Sequence, residues 1–316
     1  MDRYLERTRE LKEHGRAFAD RNAGRLGSIS SAVPPTVLVV AATGSVQLGA
    51  AIAKGLFDAL GPGGTVFLRI IFAALLLMVL WRPRLRGYPR SGYLVAVLFG
   101  LVLAGMNLSI YLSFDRIPLG IAVTIEFIGP LGVAVAGSRR LLDLLWVALA
   151  AAGILLLAPL GILGSVDLDP VGVVFAVLAG CLWAAYILLS VRTGQIFPGG
   201  TRLVIAMCVG TVVLLPVGVA GAGAALLDPN FLLVGFAIAV LSSAIPYSFE
   251  MAALRRLPAR SFGVLMSLDP AVAALVGFLV LGERLEPRAI VAVFLVTVAA
   301  AGASLFSNRL SAKAEA

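Results

Sequence analysis

Apolar runs of about 20 residues, the length that crosses a bilayer as a helix, recur along this chain, each ended by Pro, Gly or a cluster of charges. Ten such runs are predicted: 36–56, 64–81, 92–113, 117–136, 142–161, 170–190, 201–220, 231–253, 260–281 and 287–306. The expected fold class is therefore an all-α polytopic membrane protein of ten transmembrane helices. Within the third run, Ala96, Gly100 and Ala104 repeat every four residues, a spacing that lets two helices approach closely. Pro246 inside "SSAIPYSFE" predicts a kink in the eighth run. The first 33 residues carry no apolar core. Leu5, Thr8, Leu11, Gly15 and Phe18 have helical spacing there, which fits a surface helix or a polar cytoplasmic tail equally.

The runs repeat internally. A shift of 136 residues lays Pro34 on Pro170 and the PGGT at 62–65 on the PGGT at 198–201. A shift of 140 lays Arg116 on Arg256, Pro118 on Pro258, Pro130 on Pro270 and Gly137 on Gly277, and a shift of 144 lays Arg140 on Arg284. The slips fall in loops, where insertions are tolerated. The chain thus reads as a polar segment 1–33, a five-helix repeat 34–160, a second five-helix repeat 170–306 and a tail 307–316. Five is odd, so the second repeat enters the membrane from the opposite side. Inverted repeats allow a central site to face one side and then the other.

Charge sets the orientation. The segments joining alternate runs hold Arg82, Arg84, Arg86, Arg90, Arg139, Arg140, Arg192, Arg202, Arg255, Arg256 and Arg260. With the N-terminal segment and Arg309 and Lys313, one side carries 20 basic residues, and the other has Arg116, Arg284 and Arg288. Basic loops stay in the cytoplasm, so both termini are expected there. The net charge of +8 follows from this asymmetry. No basic helix or stacking platform accompanies it, so no nucleic-acid partner is expected.

Composition narrows the chemistry. The chain is 60% hydrophobic and 13% charged, with a mean hydropathy of +1.02, against roughly half apolar and one-quarter charged for soluble domains. Cys181 and Cys208 both lie in apolar runs and the one histidine is His14. A disulfide framework, a zinc spacing and histidine-based intramembrane catalysis are excluded. No G-x-x-x-x-G-K-[ST] phosphate loop occurs. Neither an enzyme nor an ATP-driven pump is expected, and no cofactor or metal.

Polar residues within apolar runs are the site candidates, because a charge in mid-bilayer costs about 3 kcal/mol or more and normally faces a wet interior. Glu126 and Asp269 lie near the centres of the fourth and ninth runs, Glu126 one turn before Pro130 and Asp269 next to Pro270. On the repeat alignment they fall one helical turn apart, Glu126 opposite Met266 and Asp269 opposite Gly129. Either they carry a proton or a substrate ammonium, or they lock helices by hydrogen bonds. Lys54 and Arg69 are the intramembrane cations. They either hold a substrate carboxylate or, for Lys54 above all, reach out to the interface. Gln47 shares a helical face with Lys54, and Asn107 lies in the third run. Both amides are substrate ligands or interhelical bonds. Trp183 and Tyr186, opposite Gln47 and Ala50 in the repeat, wall a cavity or simply pack. Tyr247 and Glu250 lie in the kinked eighth run with Ser242, Ser243 and Ser248, and Arg255 competes as a surface partner for Glu250. The expected substrate-binding set is Gln47, Lys54, Arg69, Asn107, Glu126, Trp183, Tyr186 and Tyr247. The expected proton-coupling set is Glu126, Asp269 and Glu250.

The stretches "SVQLGAAIAKGLF" (45–57), "RIPLGIAVTIEFIGPL" (116–131), "SRR" (138–140), "CLWAAYIL" (181–188), "SSAIPYSFEMAALRRLP" (242–258), "MSLDPAVAAL" (266–275) and "LGERL" (281–285) together resemble EamA-type transporters of the drug/metabolite transporter superfamily. Within it they are most similar to the threonine/homoserine exporters. The resemblance spans about residues 34–306. The N-terminal segment departs from it, and Asp269 stands where the pattern has Glu. It implies ten helices in the inner (cytoplasmic) membrane, export of small amino acids or related metabolites, and coupling to protons. The implied partners are a small-molecule substrate, protons and the lipid bilayer, with a homodimer left open. An exporter of another metabolite or drug-like compound is the alternative; a membrane-embedded enzyme or a channel fits less well.

Overall fold

The computed structural model describes residues 33–81, 83, 88, 90–136, 141–157, 168–197, 201–254, 256–257, 262 and 265–307. The N-terminal segment, Arg139, Arg140, Arg255, most of the second PGGT and the C-terminal tail lie outside the described residues.

Among the described residues every regular element is helical and no strand occurs. In chain order these are α1 (Pro35–Lys54), α2 (Phe57–Trp81), α3 (Arg90–Phe114), α4 (Leu119–Glu126), α5 (Ile128–Ala136), α6 (Leu141–Leu157), α7 (Pro170–Ile196), α8 (Thr201–Ala222), α9 (Pro229–Ala239), α10 (Ile245–Leu254), α11 (Asp269–Leu281) and α12 (Pro287–Ser307). A 3-10 turn (Gly223–Leu227) precedes α9, and a π-turn (Val240–Ala244) joins α9 to α10. Six helices are long and apolar enough to cross a membrane: α1, α2, α3, α7, α8 with the following 3-10 turn, and α9 continued through the π-turn to Glu250. Shorter apolar helices run over Leu119–Val133, Asp269–Leu281 and Pro287–Gly302.

Local chemistry sets the ends. Proline occupies the first turn of α1, α7, α9 and α11, where its missing N–H removes a donor the helix cannot use. Asp169 and Asp228 cap α7 and α9 by accepting the N–H of Val171 and Asn230. The first PGGT does more than end a segment. Gly61 takes a left-handed φ of 64° and Pro62 follows at once, so α2 breaks there and restarts. The kink expected at Pro246 takes the form of the π-turn just before it, which relieves the helix of the N–H that proline lacks.

The surface is inverted relative to a soluble protein. Leu94 and Val212 are 72% and 71% exposed, and Leu233, Leu279 and Phe294 are also exposed. Meanwhile Gln47, Asn107, Thr124, Glu126 and Asp269 are buried. Such a belt is stable against hydrocarbon, and water would penalise it. The small-residue stripe of α3 packs closely, as its spacing predicts: a Cβ on Gly100 would lie 2.6 Å from the Cβ of Val209 in α8.

Packing follows a regular exchange. α1 lies against α9, the π-turn, α10 and α11, while α7 lies against α3, α4 and α5. α2 packs on α8, and α6 packs on α12.

Candidate functional site

Two of the apolar runs are interrupted at the same depth as their acids. The run expected at 117–136 breaks at Phe127, so Glu126 is the last residue of α4. Asp269 is the first residue of α11, after a turn at Ser267 and Leu268. The breaks at 127 and 267 are 140 residues apart, the same as the sequence shift. Close backbone contact holds them in place. A Cβ on Gly180 of α7 would lie 2.7 Å from the carbonyl oxygen of Glu126, and one on Gly120 of α4 would lie 2.5 Å from the Cα of Ala274 in α11. Only residues without a side chain let these helices meet so near.

The acids sit in one cluster. Gln47 Nε2 donates to Asp269 Oδ1 at 2.8 Å, tying α1 to α11 across 222 residues of chain. Glu126 lies within electrostatic reach of both Asp269 and Arg69, and Glu250 within reach of Asp269. Arg69 donates to the Tyr111 hydroxyl at 3.3 Å, with its guanidinium carbon 5.6 Å from that ring's centre. Its Nε is buried with no partner. Tyr186 and Tyr247 share a side-chain hydrogen bond, and Tyr247 also feels Arg69 and Glu250. Tyr186 stacks on Phe99, with ring centroids 4.8 Å apart and planes 20° apart. Of the three carboxyl groups, Glu126 is the one that feels the Arg69 guanidinium, and Asp269 links it to Glu250 and to the Gln47 amide.

The remaining candidates are placed elsewhere. Lys54 forms an ion pair with Glu283 at 2.8 Å and donates to the Ile117 carbonyl at 3.1 Å. The other carboxylate oxygen of Glu283 accepts the N–H of Leu119, the first residue of α4, at 2.9 Å. The end of α11 is built for this. Gly282 takes φ 68° and the Glu283 N–H bonds back to the Gly277 carbonyl at 3.1 Å, folding the chain over. Gly277 leaves room for the Glu283 carboxylate, which its Cβ would strike. Lys54, Leu119 and the folded-back Glu283 thus form a polar layer about 10 Å along the helix axes from Gln47, Glu126 and Asp269.

Asn107 donates to the Leu103 carbonyl of its own helix at 2.8 Å. Trp183 packs edge-on against Phe127 at 5.4 Å and so braces the break after Glu126. Arg116 pairs with Asp169 at 2.7 Å in an exposed position near the Lys54 layer. The Arg116 guanidinium and the Val171 N–H hold the Asp169 carboxyl below its usual range. At the opposite helix ends, Arg256 donates to the Val33 carbonyl at 2.9 Å.

Sequence reasoning missed Glu283 and Tyr111. The signal for Glu283 was present: an acid beside a glycine that closes an apolar run implies a chain reversal with a charge folded inward. Tyr111 gave none, since an aromatic in an apolar run reads as packing. Among the described residues no cluster of His, Cys, Asp and Glu could hold a metal.

Comparison with known proteins agrees with this architecture. Residues 170–305 match the EamA-like transporter family. The threonine/homoserine exporter RhtA of Salmonella typhimurium LT2 is 41% identical over 276 residues, covering 87% of this chain and 92% of that protein. RhtA of Escherichia coli K12 is 41% identical over 272 residues, covering 86% and 91%. One crystal structure of a protein, 17% identical, superposes with a TM-score of 0.56 over 87% of this chain and 98% of its own, which shows a shared fold. An all-helical, hydrocarbon-adapted chain with such relatives is a membrane transporter, and it belongs to the EamA-like transporter family.

Proposed function

We propose that this protein is a secondary exporter of small hydroxylated amino acids, threonine- or homoserine-like, working by proton-coupled alternating access across the inner membrane. The observation that carries the reading is the cluster of buried Gln47, Glu126 and Asp269 with half-buried Arg69, on four different helices. An amino acid brings one carboxylate and one ammonium. Arg69, with a buried unpartnered Nε, is the group for the carboxylate. Glu126 and Asp269 are the groups for the ammonium. When the substrate leaves, a proton takes the ammonium's place. Proton and substrate then compete for one charge, which is sufficient for antiport.

The packing supports two inverted repeats, 34–160 and 170–306, forming a ten-helix fold. If each half has five spans, α1 is the first span of one half and α7 of the other. α1 contacts the spans of the second half that correspond to those contacted by α7 in the first. α2 pairs with its counterpart α8, and α6 with its counterpart α12. This is the pattern of a two-fold axis lying in the membrane plane. Repeat partners also share surroundings: Gln47 meets the start of α11, and its counterpart Trp183 meets the break before α5.

With both termini cytoplasmic, the Lys54–Glu283 layer lies on the outer side of the cluster. It closes that side by joining α1, α4 and α11. Opening outward then requires breaking the ion pair and the bond to the α4 N-terminus together. Since α4 carries Glu126 and α11 carries Asp269, this layer links the outer closure to the acids.

Counterflow in proteoliposomes tests the reading. A carrier preloaded with unlabelled threonine or homoserine accumulates the labelled amino acid transiently. An enzyme would consume it, and a channel would let it leak to equilibrium with no overshoot. Absence of overshoot for both amino acids refutes the exporter reading.

A further inference from the structure

We propose that Thr43 and Gln47 form a subsite that reads an alcohol on the substrate side chain. This rests on the exporter reading above and adds what the site selects.

Five helical hydroxyls in this protein share one habit, whereas those of Thr43, Ser113, Ser243 and Thr297 are buried without a partner. Thr65, Thr124, Thr193, Thr211 and Ser248 each donate to the carbonyl four residues earlier, at 2.6–2.9 Å. Thr43 does not. Its Oγ1 is buried without a partner, and the residue is 2% exposed. Gln47 lies one turn further along the same face of α1 and is 3% exposed. Its Nε2 donates to Asp269 Oδ1, which fixes the orientation of the amide, so its Oε1 can only be an acceptor. That oxygen is also buried without a partner.

The two atoms have complementary needs. Gln47 Oε1 requires a donor. The Thr43 hydroxyl can give a proton as well as take one. A carboxylate would satisfy Thr43 but would set acceptor against acceptor at Gln47. An ammonium would donate to both and leave the Thr43 proton unused. An alcohol satisfies both at once: its O–H donates to Gln47 Oε1 and its lone pair accepts from Thr43. Residues four apart on a helix are neighbours on one face, with Cβ atoms about 5–6 Å apart, so the Thr43 hydroxyl and the Gln47 amide stand side by side on α1. Asp269 is a positioning residue here, since it turns the amide. The substrate's carboxylate remains with Arg69 and its ammonium with Glu126 and Asp269.

A subsite that bonds a hydroxyl rejects the isostere lacking it, because its buried polar atoms stay unpaired. Threonine and valine are such a pair, differing only by hydroxyl for methyl. The test is kcat/KM for export of each from proteoliposomes. The wild type is expected to prefer threonine by roughly 10- to 100-fold. Thr43→Val, which keeps the shape and removes the hydroxyl, is expected to bring the ratio to within about threefold, while Thr43→Ser retains the preference. Gln47→Met serves as the second variant, with the same expected collapse, should Thr43→Val fail to fold. A wild type that moves threonine and valine alike refutes the subsite and leaves the exporter reading standing. So does an unchanged ratio in folded Thr43→Val or Gln47→Met. A wild type that moves neither amino acid refutes both.

Discussion

Lys54→Met removes the cation from the layer that joins α1, α4 and α11, and its effect can be sized. Lys54 Nζ makes two bonds, to Glu283 Oε1 at 2.8 Å and to the Ile117 carbonyl at 3.1 Å. Hydrogen bonds to charged groups are worth about 1.5–3 kcal/mol each when well shielded. The side chains are 24% and 12% exposed, so water screens part of that. A net loss of about 2 kcal/mol is the central expectation, which is roughly 30-fold in the ratio of outward-open to outward-closed protein. The readout is labelling of a cysteine placed at Ala50, a buried position on α1 between Gln47 and Lys54, by an impermeant maleimide from outside. Cys181 and Cys208 are first replaced by alanine. In the Lys54→Met background the rate is expected to rise by roughly 30-fold. Glu283→Ala, which removes the bond to the Leu119 N–H as well, is expected to raise it at least as far. Exchanging the charges restores only part of the closure, because a lysine at 283 cannot accept from Leu119. Unchanged labelling in both Lys54→Met and Glu283→Ala, with folded protein, would show that this layer does not close the outer side.

Four further outcomes are expected. Glu126→Gln abolishes accumulation driven by a pH difference while leaving downhill exchange; a variant that still concentrates substrate on a proton gradient would make Glu126 a packing residue. Arg69→Gln weakens binding of the amino acid by at least tenfold more than binding of its amide, measured by calorimetry, because the amide lacks the charge that Arg69 meets; equal losses would assign Arg69 to structure. Cysteines placed at Asp167 and Asp228 react with an impermeant reagent from outside and those at Arg90 and Arg256 do not; the reverse pattern overturns the orientation. The tie between Arg116 and Asp169 has a pH signature. The carboxyl is held below its ordinary 3.8 in the fold, so its contribution is complete above that pH and is lost as pH falls through the lower folded value. Thermal unfolding followed from pH 6 to 3 should show a small acid-side loss that Arg116→Ala reduces, the Val171 N–H keeping the remainder, and an identical profile in the variant would refute the pairing.

What the sequence by itself determined is whatever depends on one helix at a time. An apolar run of about 20 residues crosses a bilayer regardless of its neighbours. Helix starts at Pro35, Pro170 and Pro287 were legible, because proline at a first turn is a local effect. Glu126 and Asp269 stood out as site candidates because a carboxyl in hydrocarbon needs a reason wherever it lies. The break after Glu126 was visible only as a nearby proline. What holds it is Gly180 of another helix against the Glu126 carbonyl, a contact between residues far apart in sequence.

Tertiary structure decided which polar groups satisfy one another, and that divides the candidates. Lys54 and Gln47 lie on a similar face of α1, and pattern alone treated them alike. The fold gives Lys54 a carboxylate in Glu283, 229 residues away. It gives Gln47 one in Asp269 but leaves its carbonyl unpartnered. Asn107 has the same amide chemistry as Gln47, yet it donates to its own helix at Leu103. Periodicity records which way a residue faces and not what faces it back. The partners lie more than two hundred residues away in the chain, and their approach depends on close contacts, such as Gly120 against Ala274, that no single helix encodes.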